Sequence, residues 1–408
     1  MQNIFKGFVS MTEWAFSQLS YWWGYVNWVH VSSLICVHVI GLGSLFYLPL
    51  DPKTFLLACL YGNMTTGLGL VAGYHRLWCH RSYRACRPLQ YFLAILGAGA
   101  AQGPIILWVR HHRAHHRYLD TYRDPYNARR GLWWSHIGWL LTHDDRKHWG
   151  PVDMQDAKND PVVQWQLKYY QILVVLICLG VPTAVAYLGW GDWQGGLGIA
   201  GFFRCTVSWH VVYAVNSLAH WTGSQPYSDR NTSRQILLMA LYTLGEGYHN
   251  FHHSFPSDYR SGPQWYDLDA CKWIIAAWEK LGLASHLNRA SSHYIEKARL
   301  RQAWNNLNAK DGDNGRQRVP LPTLDWSEYV AKTQQGHELT VIAGIVYTIG
   351  EFLDKHPGGQ KHLREAIGQD ATASFHGGVC NHSTHAHSIL ETMMVATVRG
   401  GGQIAKGD

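Results

Sequence analysis

Gly245-Glu246-Gly247-Tyr248-His249-Asn250-Phe251-His252-His253 is the stretch on which the rest of the chain turns. Residues at i, i+3 and i+4 of a helix fall within about 100° of one another, so the three imidazoles are expected to converge on one point. Imidazole suits iron, zinc, copper and nickel. The same H-x-x-H-H spacing occurs at His112, His115 and His116. His75 and His80 follow a long apolar run, and Asn216 with His220 closes another. One triplet alone has a bland reading as chance or a packed polar patch. Two identical triplets and two further clusters, all beside apolar runs, point to bound metal.

His75 and His80 pose a geometric problem. An i, i+5 pair lies about 140° apart on an ideal helix, so both cannot chelate one ion without distortion. Either the helix bulges there, or the two residues serve different metals.

Working outward, the 408 residues suggest two or three domains. Only 15% are charged while 13% are aromatic, with 20 Trp, which is the composition of a chain embedded in a bilayer. The net charge of +7 sits beside apolar runs, where it reads as the bias of membrane-flanking loops and not as a nucleic-acid surface. The eight cysteines form no C-x-x-C pair, and Cys36, Cys59, Cys178 and Cys205 lie within apolar segments. All eight read as reduced small hydrophobes. No cleavable signal peptide is visible.

Residues 1–26, with Trp14, Phe16, Tyr21, Trp22, Trp23 and Tyr25, read as an interfacial aromatic belt. Residues 27–48 and 54–74 are each long enough to cross about 30 Å of hydrocarbon, and 49–53 is a turn between them. Asn63, Thr65, Thr66 and several glycines give the second span one face for protein or a cavity. Residues 88–109 are interrupted by Gly97, Gly99, Gln102, Gly103 and Pro104, and are expected to lie at the interface without crossing. Residues 169–190 and 195–218 form a second pair of spans. Four crossings place both termini and every histidine cluster on one side. Residues 264–282, with Trp273, Ile274, Trp278 and Leu281, are expected to pack a helical cap on that side. Residues 308–318 read as a linker.

Four segments carry a family resemblance: His75-Arg-Leu-Trp-Cys-His80, His112-Arg-Ala-His-His116, Asn216-Ser-Leu-Ala-His220 and Glu246-Gly-Tyr-His-Asn-Phe-His-His253. With Asp124-Pro-Tyr-Asn-Ala-Arg-Arg-Gly131 and Ser135-His-Ile-Gly-Trp139, they resemble the histidine boxes of membrane acyl-CoA Δ9 desaturases, the stearoyl-CoA desaturase family, over roughly residues 25–285. The resemblance implies a mainly α, four-transmembrane-helix membrane desaturase domain with a cytosolic helical cap. It implies two irons on His75, His80, His112, His115, His116, His220, His249, His252 and His253, with Asn216 holding a bound water. It also implies a saturated fatty acyl-CoA substrate of palmitoyl or stearoyl type, O2, a cis double bond and the endoplasmic reticulum membrane, with the active site cytosolic. Gln102 and Trp108 match positions that shape the substrate tunnel in this family. Val212 stands where Thr is usual, and His111 where animal relatives carry an acidic residue. Of the basic text, Arg110, Arg129 and Arg130 are candidates to face coenzyme A phosphates, since Arg chelates phosphate oxygens well.

The composition changes near residue 321. Gly344-Ile-Val-Tyr347, Phe352-Leu-Asp-Lys-His-Pro-Gly-Gly359 and Asp370-Ala-Thr-Ala-Ser-Phe375 are similar to cytochrome b5, a small α+β domain holding haem b. The resemblance makes His356 one axial ligand. His382, which begins His382-Ser383-Thr384, is the expected second, ahead of His376, His385 and His387. The approach to it through Gly377-Gly-Val-Cys380 is two residues longer than in ordinary cytochrome b5. Two axial histidines leave no open position, so such a haem carries electrons. A C-terminal fusion of this kind is the fungal-type arrangement, and it implies an NADH-dependent cytochrome b5 reductase as partner.

The domains expected are thus 1–26, an interfacial segment; 27–283, the membrane desaturase; 284–320, a helix and linker; and 321–408, the haem domain. A saturated methylene has no acidic proton, so removing its hydrogen needs an oxidant made from dioxygen and reduced metal. Rival readings are a fatty-acid or sphingolipid hydroxylase and a non-catalytic haem electron-transfer protein. Product analysis separates them.

Overall fold

The computed structural model describes residues 24–142, 149–310 and 321–375, and, from the final segment, 382, 386, 389–390 and 392–399. The interfacial aromatics before residue 24, most of the linker, and His376, His385 and His387 lie outside the described residues. The chain forms two compact units. One comprises residues up to Ser224 together with Arg230–Arg289, and the other Gln225–Asp229 together with Ala290 onward.

In the first unit, α1 (Trp28–Tyr47) starts at Asn27, whose side chain accepts from His30 N at 3.3 Å. Asp51 caps the next helix through Lys53 N and Thr54 N, with Pro52 at the first helical position. That helix, α2, runs Pro52–Cys79, and from Asn63 onward it is wound as a π-helix. His80 N donates to His75 O at 3.0 Å, an i→i+5 bond. The widened turn stacks residues five apart on one side, which answers the geometric problem of His75 and His80 in favour of a bulge.

Residues 88–109 form two helices, α3 (Arg87–Ala98) and α4 (Ile105–Tyr118). Each spans about 20 Å, too short to cross the hydrocarbon. The break falls at Gly99–Pro104, where Pro104 begins α4. Helices α2 and α3 approach backbone to backbone. A Cβ on Gly69 would lie 2.3 Å from Gly97 N, so glycine is required there.

Helix α5 (Pro161–Trp190) opens on an Asp160 cap and closes at Gly191, which has φ +78°. Residues 193–217 form the last long helix, α6. Among the described residues, α1, α2 and α5 are long and apolar enough to cross a membrane. The expected fourth crossing is helical but falls outside that set. It carries Arg204, which is buried and donates to Thr65 Oγ1, Gly99 O and Cys178 O at 3.0–3.2 Å.

Beyond α6 lie a short helix, α7 (His249–Ser254), and α8 (Ala270–Lys280). The amphipathic reading of 264–282 is corrected at its start, because the Asp269 side chain caps α8 by accepting from Lys272 N at 3.0 Å. That cap sets which face is buried. Cys271, Lys272 and Ile275 point inward, while Trp273 and Leu281 are exposed. Strands β1 (Arg84–Ala85) and β2 (Ala284–Ser285) tie the chain after α8 back to the end of α2.

The second unit begins with α9 (Ser292–Lys310), which extends helix into the expected linker. Strands β3 (Thr323–Leu324), β4 (Leu339–Ile342), β5 (Ile345–Thr348) and β6 (Met394–Val398) form one sheet in the order β3-β6-β5-β4. Among the described strands, β3 and β6 pair parallel, while β4–β5 and β5–β6 pair antiparallel. Helix α10 (Trp326–Gln334) packs Tyr329 into one apolar cluster with Leu339, Val341 and Val346. A second cluster joins Ile342, Tyr347 and Ile349 to Phe352, Leu363 and Phe375. The seven cysteines among the described residues are all free.

Candidate metal centre

All nine histidines singled out in the sequence meet in the first unit, in two groups. His75, His80, His112, His116 and His252 form one, and His115, His220, His249 and His253 the other. In each group the ligand nitrogens lie within 4.8 Å of one another. The expectation that each triplet converges on one point is therefore corrected. In both H-x-x-H-H boxes the i and i+4 histidines stay together, and the i+3 histidine crosses to the other group. At about 100° per residue, i and i+4 differ by only about 40°, whereas i+3 points about 60° to the other side. Each box thus feeds both groups.

The Nε2 atoms face one another. His75 and His252 stand 3.0 Å apart, His252 and His116 3.0 Å, and His80 and His112 2.9 Å. In the other group, His249 Nε2 is 2.9 Å from His220 Nε2 and 3.0 Å from His253 Nε2. Metal–imidazole bonds of about 2.1 Å place adjacent ligand nitrogens about 3 Å apart. The observed spacing fits a shared cation.

The opposite ring nitrogens show why these are lone pairs and not hydrogen-bond donors. His115 Nδ1 donates to Asp124 Oδ1 at 2.9 Å, which leaves a buried Nε2 with no hydrogen-bond partner among the described residues. His75 Nδ1 donates to Glu246 Oε2 at 3.1 Å. His220 Nδ1 lies 2.8 Å from Thr232 Oγ1, whose own hydrogen goes to Asp120 Oδ1 at 2.6 Å. Carboxylates fix the tautomer in each case and raise ligand basicity. Glu246, Asp124, Thr232 and Asp120 were not among the expected site residues. The available signals were Glu246, three residues before His249, and Asp124, nine after His115.

Burial, followed by the neighbouring imidazoles, holds His112, His116, His220, His252 and His253 well below the ordinary imidazole range. His249 is pushed down to about 3 by burial and by His115. Neutral imidazole is the form that binds metal. Burial alone would raise the Glu246 carboxyl, but His75 and Arg76 beside it hold it well below the carboxylate range.

A cavity of about 720 Å³ opens against this centre and is lined by His75, His112, His249 and Glu246. Asn216, Val212, Gln102, Trp108, Arg110 and His111 also line it, so the structure brings these expected residues together. Trp108 stacks on His112 with ring centroids 4.9 Å apart. Gln102 Nε2 is buried without a hydrogen-bond partner among the described residues. His111 sits 4.5 Å from Trp149 and 5.9 Å from Trp139. Arg129 and Arg130 lie elsewhere, exposed in the turn Ala128–Arg130, with the Arg130 guanidinium over the Trp134 ring.

In the second unit the rings of His356 and His382 have centroids 6.3 Å apart. Two metal–nitrogen bonds of about 2 Å and two ring half-widths of about 1.2 Å sum to about 6.4 Å, so the pair fits a single iron between them. His356 Nδ1 donates to Gly359 O at 2.9 Å, and His382 Nδ1 to Phe375 O at 2.8 Å. That leaves Nε2 of each ring for the metal. A Cβ on Gly358 would come within 2.9 Å of the His356 ring, and Gly359 has φ +87°, which accounts for both glycines of His-Pro-Gly-Gly.

A helical unit with membrane-span candidates and two poly-histidine groups, fused to a small bis-histidine unit, is the architecture of a membrane redox metalloprotein. The fatty acid desaturase family matches residues 52–287, and the family described as cytochrome b5-like heme/steroid binding domain matches residues 325–399. The chain is 40% identical over 390 residues to the probable acyl-CoA desaturase of Schizosaccharomyces pombe, covering 94% of this chain and 80% of that one. It is 39% identical to acyl-CoA desaturase 1 of Saccharomyces cerevisiae, over 93% of this chain and 75% of that one. Human stearoyl-CoA desaturase 5 is 41% identical over 66% of this chain and 84% of its own. The chain belongs to the fatty acid desaturase family and carries a C-terminal cytochrome b5-like domain. Its two histidine groups are consistent with a di-iron site.

Proposed function

We propose that this chain introduces a cis Δ9 double bond into a saturated fatty acyl-CoA of palmitoyl or stearoyl type, consuming O2 and two electrons. The observation that carries this reading is the cavity. It is lined by aromatic side chains such as Trp108 and Trp209, by aliphatic ones such as Leu34, Val37 and Leu70, and by His75, His112 and His249. Its volume suits one extended ligand, and its walls replace water around a hydrocarbon chain. Val212, Gln102 and Trp108 fix where the chain bends, so one C–H bond is held against the centre. Arg110 lines the same cavity and suits the coenzyme A phosphates.

The ligands in this reading are the nine histidines, with Asn216 holding a water. Two irons supply the oxidising power that no side chain has. The carboxylates of Glu246, Asp124 and, through Thr232, Asp120 keep the ring protons on the outer nitrogens, so the inner lone pairs stay available. His356 and His382 would hold haem b, which would supply electron transfer, with an NADH-dependent cytochrome b5 reductase as partner. The membrane is that of the endoplasmic reticulum, crossed four times, with both termini and the centre cytosolic. Residues 27–283 form the desaturase domain and 321–408 the haem domain.

The test is expression in a host lacking its own Δ9 desaturase, followed by analysis of chain length and double-bond position. Restored growth with Δ9 monounsaturated products is expected. Hydroxylated acyl chains, or no oxidised lipid, overturn the proposal.

A further inference from the structure

Arg76 follows a ligand histidine in sequence, and its guanidinium is buried. Its Nη1 donates to Asp269 Oδ2 at 3.1 Å and to Tyr259 O at 2.8 Å. Its Nη2 lies 2.9 Å from Asp269 Oδ1 and donates to Glu246 Oε1 and Ser261 Oγ, each at 2.9 Å. The Arg76–Asp269 contact is therefore a two-pronged pair, the geometry that fixes a guanidinium plane most tightly. Asp269 is fully buried and is itself held by Ser261 N at 2.7 Å and Gly262 N at 3.2 Å. Gly245, with φ +126°, lets the chain pass so close that a Cβ would sit 2.5 Å from Asp269 Oδ1.

We infer that Asp269 is a positioning residue for the five-histidine group, acting through Arg76 and Glu246 on His75; the inference rests on the di-metal reading above. Glu246 has two demands on it, the Nδ1–H of His75 and one Nη2–H of Arg76. While Asp269 occupies the guanidinium fork, Arg76 reaches Glu246 with one N–H only, and the second carboxylate oxygen stays on His75. Without the Asp269 carboxylate, the fork is free to turn onto Glu246 and draw that oxygen off the ring. His75 then loses the partner that fixes its tautomer. The other group does not depend on this chain of contacts, because His115 and His220 are oriented by Asp124 and by Thr232 with Asp120.

Asp269 also caps α8 through Lys272 N, so a purely structural role must be separated from this one. Asp269→Asn and Asp269→Ser both retain a capping oxygen and both remove the charged fork partner. The full chain, purified in detergent and loaded with ferrous iron, is challenged with a chelator while non-haem metal release is followed. In both variants one of two ions is expected to leave roughly 10–100 times faster, with the other at the wild-type rate. Asp258→Asn is the control: that buried carboxylate pairs with Arg260 at 2.8 Å in the same loop. It should leave both rates unchanged. Ser261→Ala, which removes one hydroxyl from Arg76 and Glu246, should hasten the same ion modestly and keeps the test open if the Asp269 variants do not accumulate. Release of both ions at wild-type rates, or equal acceleration of both, overturns the positioning role. A wild-type protein that takes up no pair of non-haem ions overturns the di-metal reading instead.

Discussion

The two units hold their histidines in opposite ways. In the membrane unit the rings are buried among one another, and the outer nitrogens of His75 and His115 are held by carboxylates. In the haem unit, His356 and His382 are held by the backbone carbonyls of Gly359 and Phe375. A carboxylate adds negative charge behind the ring and strengthens its lone pair, which matters where bare imidazoles must hold cations through a change of oxidation state. A carbonyl only orients the ring. That suffices where a macrocycle supplies most of the ligand field and the iron does no more than pass electrons.

The comparison breaks most visibly if a ligand of the first kind is removed. His252→Ala takes away the ring that faces both His75 and His116, and it is expected to abolish unsaturated product and lower non-haem iron from about two per chain. Normal product in that variant, measured by gas chromatography, ends the assignment. His382→Ala should lose the low-spin bis-histidine haem spectrum yet keep its non-haem iron. Desaturation falls sharply and partly recovers when separate cytochrome b5 is added. If the spectrum persists and is lost only in His385→Ala or His387→Ala, the ligand lies one helical turn further on.

A milder change sharpens the contrast between carboxylate and carbonyl. Asp124→Asn keeps an acceptor for His115 Nδ1 but removes the charge, making this ligand resemble those of the haem unit. Metal affinity of the four-histidine group is expected to fall roughly tenfold to a hundredfold, with the haem spectrum unchanged. Equal affinity in a metal titration would show that orientation alone is enough. The smallest effect belongs to an apolar residue of the cavity wall. Val212 packs against the main core cluster and lines the cavity. Val212→Thr restores a hydroxyl there and should narrow chain-length or positional preference without altering metal content. An unchanged product spectrum would assign the position to packing alone.

Much of this was legible in the sequence because the signals are local. Span length follows from runs of apolar residues, and α1, α2 and α5 appear where those runs are. The ligand set is announced by histidine spacing, and all nine residues reach the centre. Phe352–Gly359 and Asp370–Phe375 mark the haem unit because a tight turn beside a histidine demands glycine at Gly358 and Gly359.

The break within residues 88–109 was readable for the same reason, since Gly99–Pro104 interrupts the helix wherever it lies. The start of α8 was misplaced although its signal is local: Asp269 is an N-cap residue whose side chain accepts from Lys272 N three positions on, and the apolar pattern was read past it.

What the sequence alone determined is which side chains gather at the centre: imidazole chemistry and spacing do not depend on the partners that later surround them. What only the tertiary structure decided is how they are shared out. Spacing on a single helix fixes the angle between His249 and His252, but not what stands on either side of it. The division arises because α4 and α7 each meet two sets of neighbours, and because the π-helical turn of α2 brings His75 and His80 to one side. The contacts of Glu246 with His75 and of Asp120 with Thr232 are likewise made by packing between segments distant in the chain.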